Sequence, residues 1–178
     1  GELLREIGNF AEAAAAYESV PEKAGGEYFK AALLALGDVY AKAGDPEKAR
    51  GSLERYAGLF REDENSSKAA LQMAQIDLDS GNFARALDTM FQFTREHPKN
   101  PLADIAYYKL GVALTGLRKF SQASDAFRTV MNDHPSSKLY AESLYGAAAS
   151  LESNGQIRES ISLYEKLLQN YPNHPNAN

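Results

Sequence analysis

Apolar residues in this chain fall at offsets of three and four, and the blocks they form return every 37 residues. One column is small: Ala13, Ala49, Ala86, Ala123 and Ser160 follow one another at steps of 36, 37, 37 and 37. Four residues further on stand Tyr17, Leu53, Met90, Phe127 and Tyr164. Three beyond those stand Val20, Tyr56, Phe93, Val130 and Leu167. Offsets of three and four place residues on one face of a helix. A fixed period between 20 and 50 residues marks stacked supersecondary units rather than one irregular fold.

The breaks between blocks repeat as well. A glycine column (Gly8, Gly44, Gly81, Arg118, Gly155) precedes the small column by five residues. Glycine there permits a left-handed C-cap, which ends one helix sharply before the next begins. Two residues later come Phe10, Pro46, Phe83, Phe120 and Ile157. Pro98, Pro135 and Pro172 close three copies, since proline cannot continue a helix. Each unit therefore reads as helix A, tight turn, helix B, then a connecting loop. The pattern predicts A helices over 27–43, 67–80, 102–116 and 138–154. It predicts B helices over 10–20, 46–61, 83–96, 120–133 and 157–170. Asp45-Pro46 is a favourable start, with proline at the first helical position, and Ser121 and Ser136-Ser137 are expected caps. No segment alternates strictly as a half-buried strand would.

These columns resemble the tetratricopeptide repeat, whose units of about 34 residues pair two antiparallel helices through alternating small and large residues. The fourth copy carries the likeness best, in Tyr107, Leu110, Gly111, Leu114, Ala123, Phe127 and Pro135. Ala74 and Ala148 replace the family's glycine in helix A, and Arg61 stands where its proline is expected. Three residues added after the proline lengthen the period, as in 97–104 and 134–141. This longer variant is similar to repeats of bacterial cell-envelope proteins, which points to a periplasmic or envelope location. The resemblance implies an all-α, right-handed superhelical solenoid of antiparallel helix pairs, with about five repeats and the first incomplete. The array would be a single domain over 1–178, with repeats near 1–25 (partial), 26–65, 66–101, 102–138 and 139–175. The first seven residues read as the tail of a helix A, and the last residues stop where a sixth would begin. The chain is thus expected to be a piece of a longer protein, able to self-associate through uncapped ends.

Composition narrows the partner. With 178 residues, 44% of them hydrophobic, the chain can bury a sizeable core. Its net charge is -5 and no basic run exceeds Arg118-Lys119, so a footprint for nucleic acid is missing. No apolar run approaches the roughly 20 residues needed for direct membrane insertion. Cysteine is absent, which removes disulfides and thiolate ligands.

The resemblance places a partner protein or peptide on the concave face, lined by A helices. The inner positions are Leu34 and Asp38, Leu71 and Gln75, Tyr108 and Val112, Tyr145 and Ala149. Tyr108 and Tyr145 are the expected anchors, because tyrosine joins a large apolar ring to a hydroxyl; packing between neighbouring helices is the alternative role. A clamp for a terminal carboxylate is not expected, since Lys42, Lys68 and Lys109 share no column. Chemistry is not expected either, so the chain reads as a non-enzyme without cofactor or metal. His97 and His134 sit one period apart before a proline, as turn residues rather than converging ligands. Glu62-Asp63-Glu64 reads as a solvated acidic loop. The leading function is an interaction scaffold within a larger assembly. A structural spacer or oligomerisation module, or a non-catalytic accessory region of an enzyme, is the alternative.

Overall fold

The computed structural model describes residues 1–6, 8–23 and 26–176. Among these residues lie ten α-helices and no strand. The helices group into two compact units, Gly1–Ser80 and Gly81–Asn178. The first holds α1 (Glu2–Glu6), α2 (Phe10–Glu18), α3 (Gly26–Lys42), α4 (Pro46–Leu59) and α5 (Ser66–Asp79). The second holds α6 (Phe83–Glu96), α7 (Ala103–Gly116), α8 (Phe120–Asp133), α9 (Tyr140–Ser153) and α10 (Ile157–Asn170). Within each unit every helix packs on the next in sequence. This is the all-α arrangement of consecutive antiparallel helix pairs that the periodicity calls for.

The small column lies inside the helix packing. Ala13, Ala49, Ala86 and Ala123 are completely buried, and Ser160 nearly so. The large columns fill the space beside them, with Leu53, Tyr56, Met90 and Val130 wholly inside.

The turns between A and B helices use a left-handed residue. Gly8, Gly44, Gly81 and Gly155 have φ between 72° and 80°. In the remaining copy Arg118 takes φ 58°, the one non-glycine at positive φ among the described residues. A side chain in that conformation costs roughly 1–2 kcal/mol, because Cβ crowds the following carbonyl. Arg118→Gly is therefore expected to raise unfolding stability in urea by about 1 kcal/mol. A fall instead would mean that the guanidinium over the Phe120 ring, 6.0 Å from its centroid, outweighs the backbone cost.

The loops after the B helices hold a repeating turn that accounts for the long period. Each opens with an aromatic or imidazole C-cap: Phe60, His97, His134 and Tyr171, all with φ near −130° and ψ between 50° and 59°. Three residues on, a short polar side chain accepts the backbone N–H two residues ahead. Asp63 accepts from Asn65 at 2.9 Å, Asn100 from Leu102 at 2.9 Å, Ser137 from Leu139 at 3.0 Å, and His174 from Asn176 at 3.2 Å. These Asx-like turns satisfy donors that a loop would otherwise leave to water.

Several boundaries differ from the sequence reading. α2 and α4 each stop two residues early, at Glu18 and Leu59, and α9 begins two late, at Tyr140. Ser121 lies inside α8, whose N-cap is Lys119, and Ser137 serves the turn before α9 rather than its N-cap, which is Leu139. Asp45 does cap α4, accepting from the Lys48 N–H at 3.1 Å, with Pro46 at the first turn. The acidic stretch also differs. Glu62 and Glu64 are exposed, but Asp63 is drawn inward. Lys30 binds it at 2.8 Å and the Tyr56 hydroxyl donates to it. The Lys30 hydrogen bond, with those from Tyr56 and Asn65, holds the Asp63 carboxyl well below the usual carboxylate range. The same contact raises the Lys30 ammonium, while burial and then Asp63 push Tyr56 up to about 12.

Candidate partner-binding surface

In the first unit Leu34 and Asp38 lie on α3, and Leu71 and Gln75 on α5, two A helices that touch each other. Leu34 is half-buried against the apolar core, and Leu71 is buried at 8% exposure. Asp38 is held within the unit by Lys42 at 3.0 Å and Arg5 at 3.4 Å. Exposed Gln75 donates to Asp79 at 2.7 Å. The polar groups here are already satisfied inside the unit, and one of the two leucines is turned inward.

In the second unit Tyr108 and Val112 lie on α7, and Tyr145 and Ala149 on α9, again neighbouring A helices in contact. All four are half-buried, so each keeps part of its surface open. The Tyr108 ring meets the Phe127 ring edge-on, with centroids 5.7 Å apart. Tyr145 packs on Tyr164 at 6.1 Å and on the His174 ring at 6.4 Å. Both tyrosines therefore pack between helices, which fixes the rings while leaving part of each accessible. Burial, followed by the nearby Glu142 carboxylate, raises the Tyr108 hydroxyl above its ordinary value. Glu142 stands on α9, and its Oε2 is buried without a hydrogen-bond partner. This strip combines rigid aromatic rings, two small aliphatic side chains and one under-satisfied acid. Its side chains are suited to packing and hydrogen bonding.

The histidines lie elsewhere. His97 and His134 end α6 and α8, their rings tilted against Phe93 at 5.5 Å and Tyr107 at 6.3 Å. Among the described residues, no three His, Asp or Glu side chains converge where they could hold a metal ion. No described helix is long and apolar enough to cross a membrane.

Sequence reasoning missed a cleft of about 570 Å³ in the first unit, between α2, α3 and α4. Tyr17, Phe29, Leu33, Leu36, Tyr40 and Arg55 line it. Leu36 is about 200° around α3 from Leu34, so the cleft opens on a different face from the inner positions. Its edges are tied by the Tyr40 hydroxyl donating to Glu18, and by Arg55 to Glu22 at 2.7 Å. The legible signal was the pair Gly51 and Ser52, small residues that leave the α4 wall bare.

A family model described as a tetratricopeptide repeat-like domain matches residues 8–146, and a second, described as a tetratricopeptide repeat, matches 142–174. The chain belongs to the tetratricopeptide repeat-like family. A search of curated protein sequences gave no match. Solved structures share the fold. A crystal structure of the MamA protein superposes with a TM-score of 0.74 at 23% identity, covering 94% of this chain and 86% of that one. MamA of AMB-1 gives 0.71 at 21% identity, covering 96% and 87%. A Podosopora anserina protein with nearly identical, kinesin light chain TPR-like repeats gives 0.73 at 16% identity, covering 93% and 88%. Tetratricopeptide arrays are a scaffold for protein interaction, and the second unit offers its aromatic strip on two adjacent A helices of such an array.

Proposed function

We propose that this tetratricopeptide array is a non-catalytic adaptor that holds a segment of a partner protein against α7 and α9, within a larger assembly. The observation that carries this reading is the half-open pair Tyr108 and Tyr145, held rigid by Phe127 and Tyr164 beside the under-satisfied Glu142. Pre-ordered aromatic rings lose little side-chain entropy on binding, which is why tyrosine recurs among interface hot spots. The partner segment would set apolar side chains on the two rings and a basic or amide group towards Glu142. Asp38, Leu71 and Gln75 would contribute less, since Leu71 is buried and the two polar groups are already paired within the first unit, while half-buried Leu34 stands alone there. The 37-residue period supports a place among cell-envelope arrays.

The test is a pull-down from a lysate of the source organism, with binding of the captured protein then measured directly. Tyr108→Ala with Tyr145→Ala is expected to weaken that binding by about a hundredfold or more, at unchanged helicity by circular dichroism. A partner held equally by both forms would move the site off α7 and α9.

A further inference from the structure

The cleft of the first unit is bounded by α2, α3 and α4, so its opening does not depend on either end of the chain. One wall is a row on α3. Phe29, Leu33, Leu36 and Tyr40 follow at intervals of four, three and four, on one helical face. A second wall comes from α4, where Lys48, Ser52 and Arg55 follow at four and three. The two cations mark the ends of the apolar row. The Lys48 ammonium lies 5.2 Å from the centroid of the Tyr40 ring, and the Arg55 guanidinium 5.0 Å from that of Phe29. Seven residues apart on one helix, they are rooted about 10 Å from each other. On the remaining side α2 ends at Glu18, where the period carried back from Leu59 would extend it to Lys23. Pro21 does not continue the helix, and Val20, Pro21 and Glu22 line the cleft as loop.

Between the cations α4 shows bare backbone. Gly51 lies in the helix interior, where glycine is unfavourable. At Gly37 and Gly146 the packing explains a helical glycine: a Cβ added there would lie 2.7 Å from Leu53 and 2.7 Å from Phe127. A Cβ added at Gly51 would meet nothing within 4 Å. Later copies carry exposed Asp88, Asp125 and Ser162 in this column. The packing among the described residues gives no use for the missing side chain, and its absence keeps the cleft open outwards.

We propose that this cleft receives an amphipathic helical segment of a partner protein that carries two acidic side chains two turns apart. The apolar ridge of that segment settles on Leu33 and Leu36 across the bare backbone of Gly51, and its carboxylates take Lys48 and Arg55. The spacing of the cations selects a helix. Acids two turns apart on a helix share one side, as Lys48 and Arg55 do. An extended peptide covers the same span in about three residues, which puts its two acids on opposite faces. Both cations are open to exchange. Lys48 pairs with Asp45 at 3.2 Å and Arg55 with Glu22 at 2.7 Å, and every side chain in these pairs is more than a third exposed. Exposed pairs of this kind contribute little to stability, so a carboxylate that arrives together with apolar burial replaces them readily. Glu22, released from Arg55, and Glu18 at the end of α2 then favour a basic group on the other flank of the segment. The site is separate from α7 and α9 and does not rest on the reading proposed for them.

The probe is a fluorescently labelled, alanine-based helical peptide with a ridge of two leucines, two glutamates two turns apart on one flank and a lysine on the other. Titrated with the chain, it is expected to bind saturably, with a Kd on the order of a hundred micromolar. Gly51→Leu should weaken binding about tenfold or more, by placing a branched side chain on the bare strip. Its helicity by circular dichroism should hold or rise, since leucine is the better helix former and the added Cβ meets nothing within 4 Å. Lys48→Glu with Arg55→Glu should weaken binding about tenfold, through like charges. A second peptide, with lysines in place of the two glutamates, should prefer that variant to the native chain by about tenfold, an exchange that packing alone does not produce. Tyr108→Ala with Tyr145→Ala should leave the first peptide's affinity unchanged. No saturation by about one millimolar chain overturns the proposal. So does Gly51→Leu binding as tightly as the native chain, or failure of the charge exchange. Binding lost in the tyrosine double variant overturns it too, by moving the peptide to the second unit.

Discussion

Replacing Phe127 by alanine is expected to cost roughly 3–5 kcal/mol of unfolding free energy in the second unit. The ring is 3% exposed and stands between two glycines on neighbouring A helices. A Cβ added at Gly111 would lie 2.7 Å from the ring, and one added at Gly146 also 2.7 Å. The helices α7 and α9 thus close on opposite sides of one aromatic side chain, each contributing bare backbone at the contact. Removing the ring leaves a space that neither glycine has a side chain to fill. The same geometry predicts that Gly111→Ala or Gly146→Ala overpacks the site, by roughly 1–3 kcal/mol. Urea unfolding of the three variants checks both signs of the argument. A loss below about 1.5 kcal/mol for Phe127→Ala would mean that α7 and α9 collapse onto the vacancy. The substitution also reaches the proposed binding strip. Tyr108 leans edge-on against Phe127, so without the ring its orientation is no longer fixed and partner affinity should fall with stability.

Phe127 shows how much the sequence could convey. Its column identified it as a large apolar residue on the same helix face as the small column, and the family likeness picked out Gly111. Gly146 belongs to no glycine column, and only the packing of α9 on α8 shows why it lacks a side chain. Periodicity reports which residues repeat, and so it located the helices, the buried columns and the left-handed turns. It does not report which columns face each other across a crossing. Asp63, Asn100, Ser137 and His174 occupy one column and perform one hydrogen-bonding task, yet as four residue types they formed no visible pattern. The inner-face residues were placed by analogy, so their degree of exposure was not legible. Leu71 and Gln75 stand one turn apart on the same helix, and one is buried while the other is exposed.

The residues hardest to read were those that break their columns. Arg50 and Asp77 each look like ordinary helix charges destined for water. In the fold Arg50 on α4 reaches across to Asp77 on α5, and the Asp77 side chain is completely buried. The guanidinium is itself only 13% exposed, and its Nε also meets Glu54 at 2.9 Å. Removing the cation leaves the carboxylate inside without its main counter-charge. Arg50→Leu is therefore expected to cost roughly 3–5 kcal/mol, since an uncompensated buried charge is far more costly than a missing contact. The array itself supplies the rescue. One period after Arg50 stands Leu87, and one and two periods after Asp77 stand Leu114 and Leu151, both buried. Arg50→Leu combined with Asp77→Leu installs the leucine pair that the next copy carries at these positions, Leu87 and Leu114. Because desolvation offsets most of what a buried ion pair gains, the double variant should recover to within about 1 kcal/mol of the native chain, or exceed it. Asp77→Leu alone should fall between, with Arg50 free to turn towards Glu54 and solvent. Urea unfolding of the four proteins closes this cycle. If Arg50→Leu lost less than about 1 kcal/mol, the pair would not be what neutralises Asp77. If the double variant stayed as weak as Arg50→Leu, the packing between α4 and α5 would depend on charge in this copy alone. The sequence would then have exchanged the repeat's apolar contact for an ionic one that fixes these two helices in register.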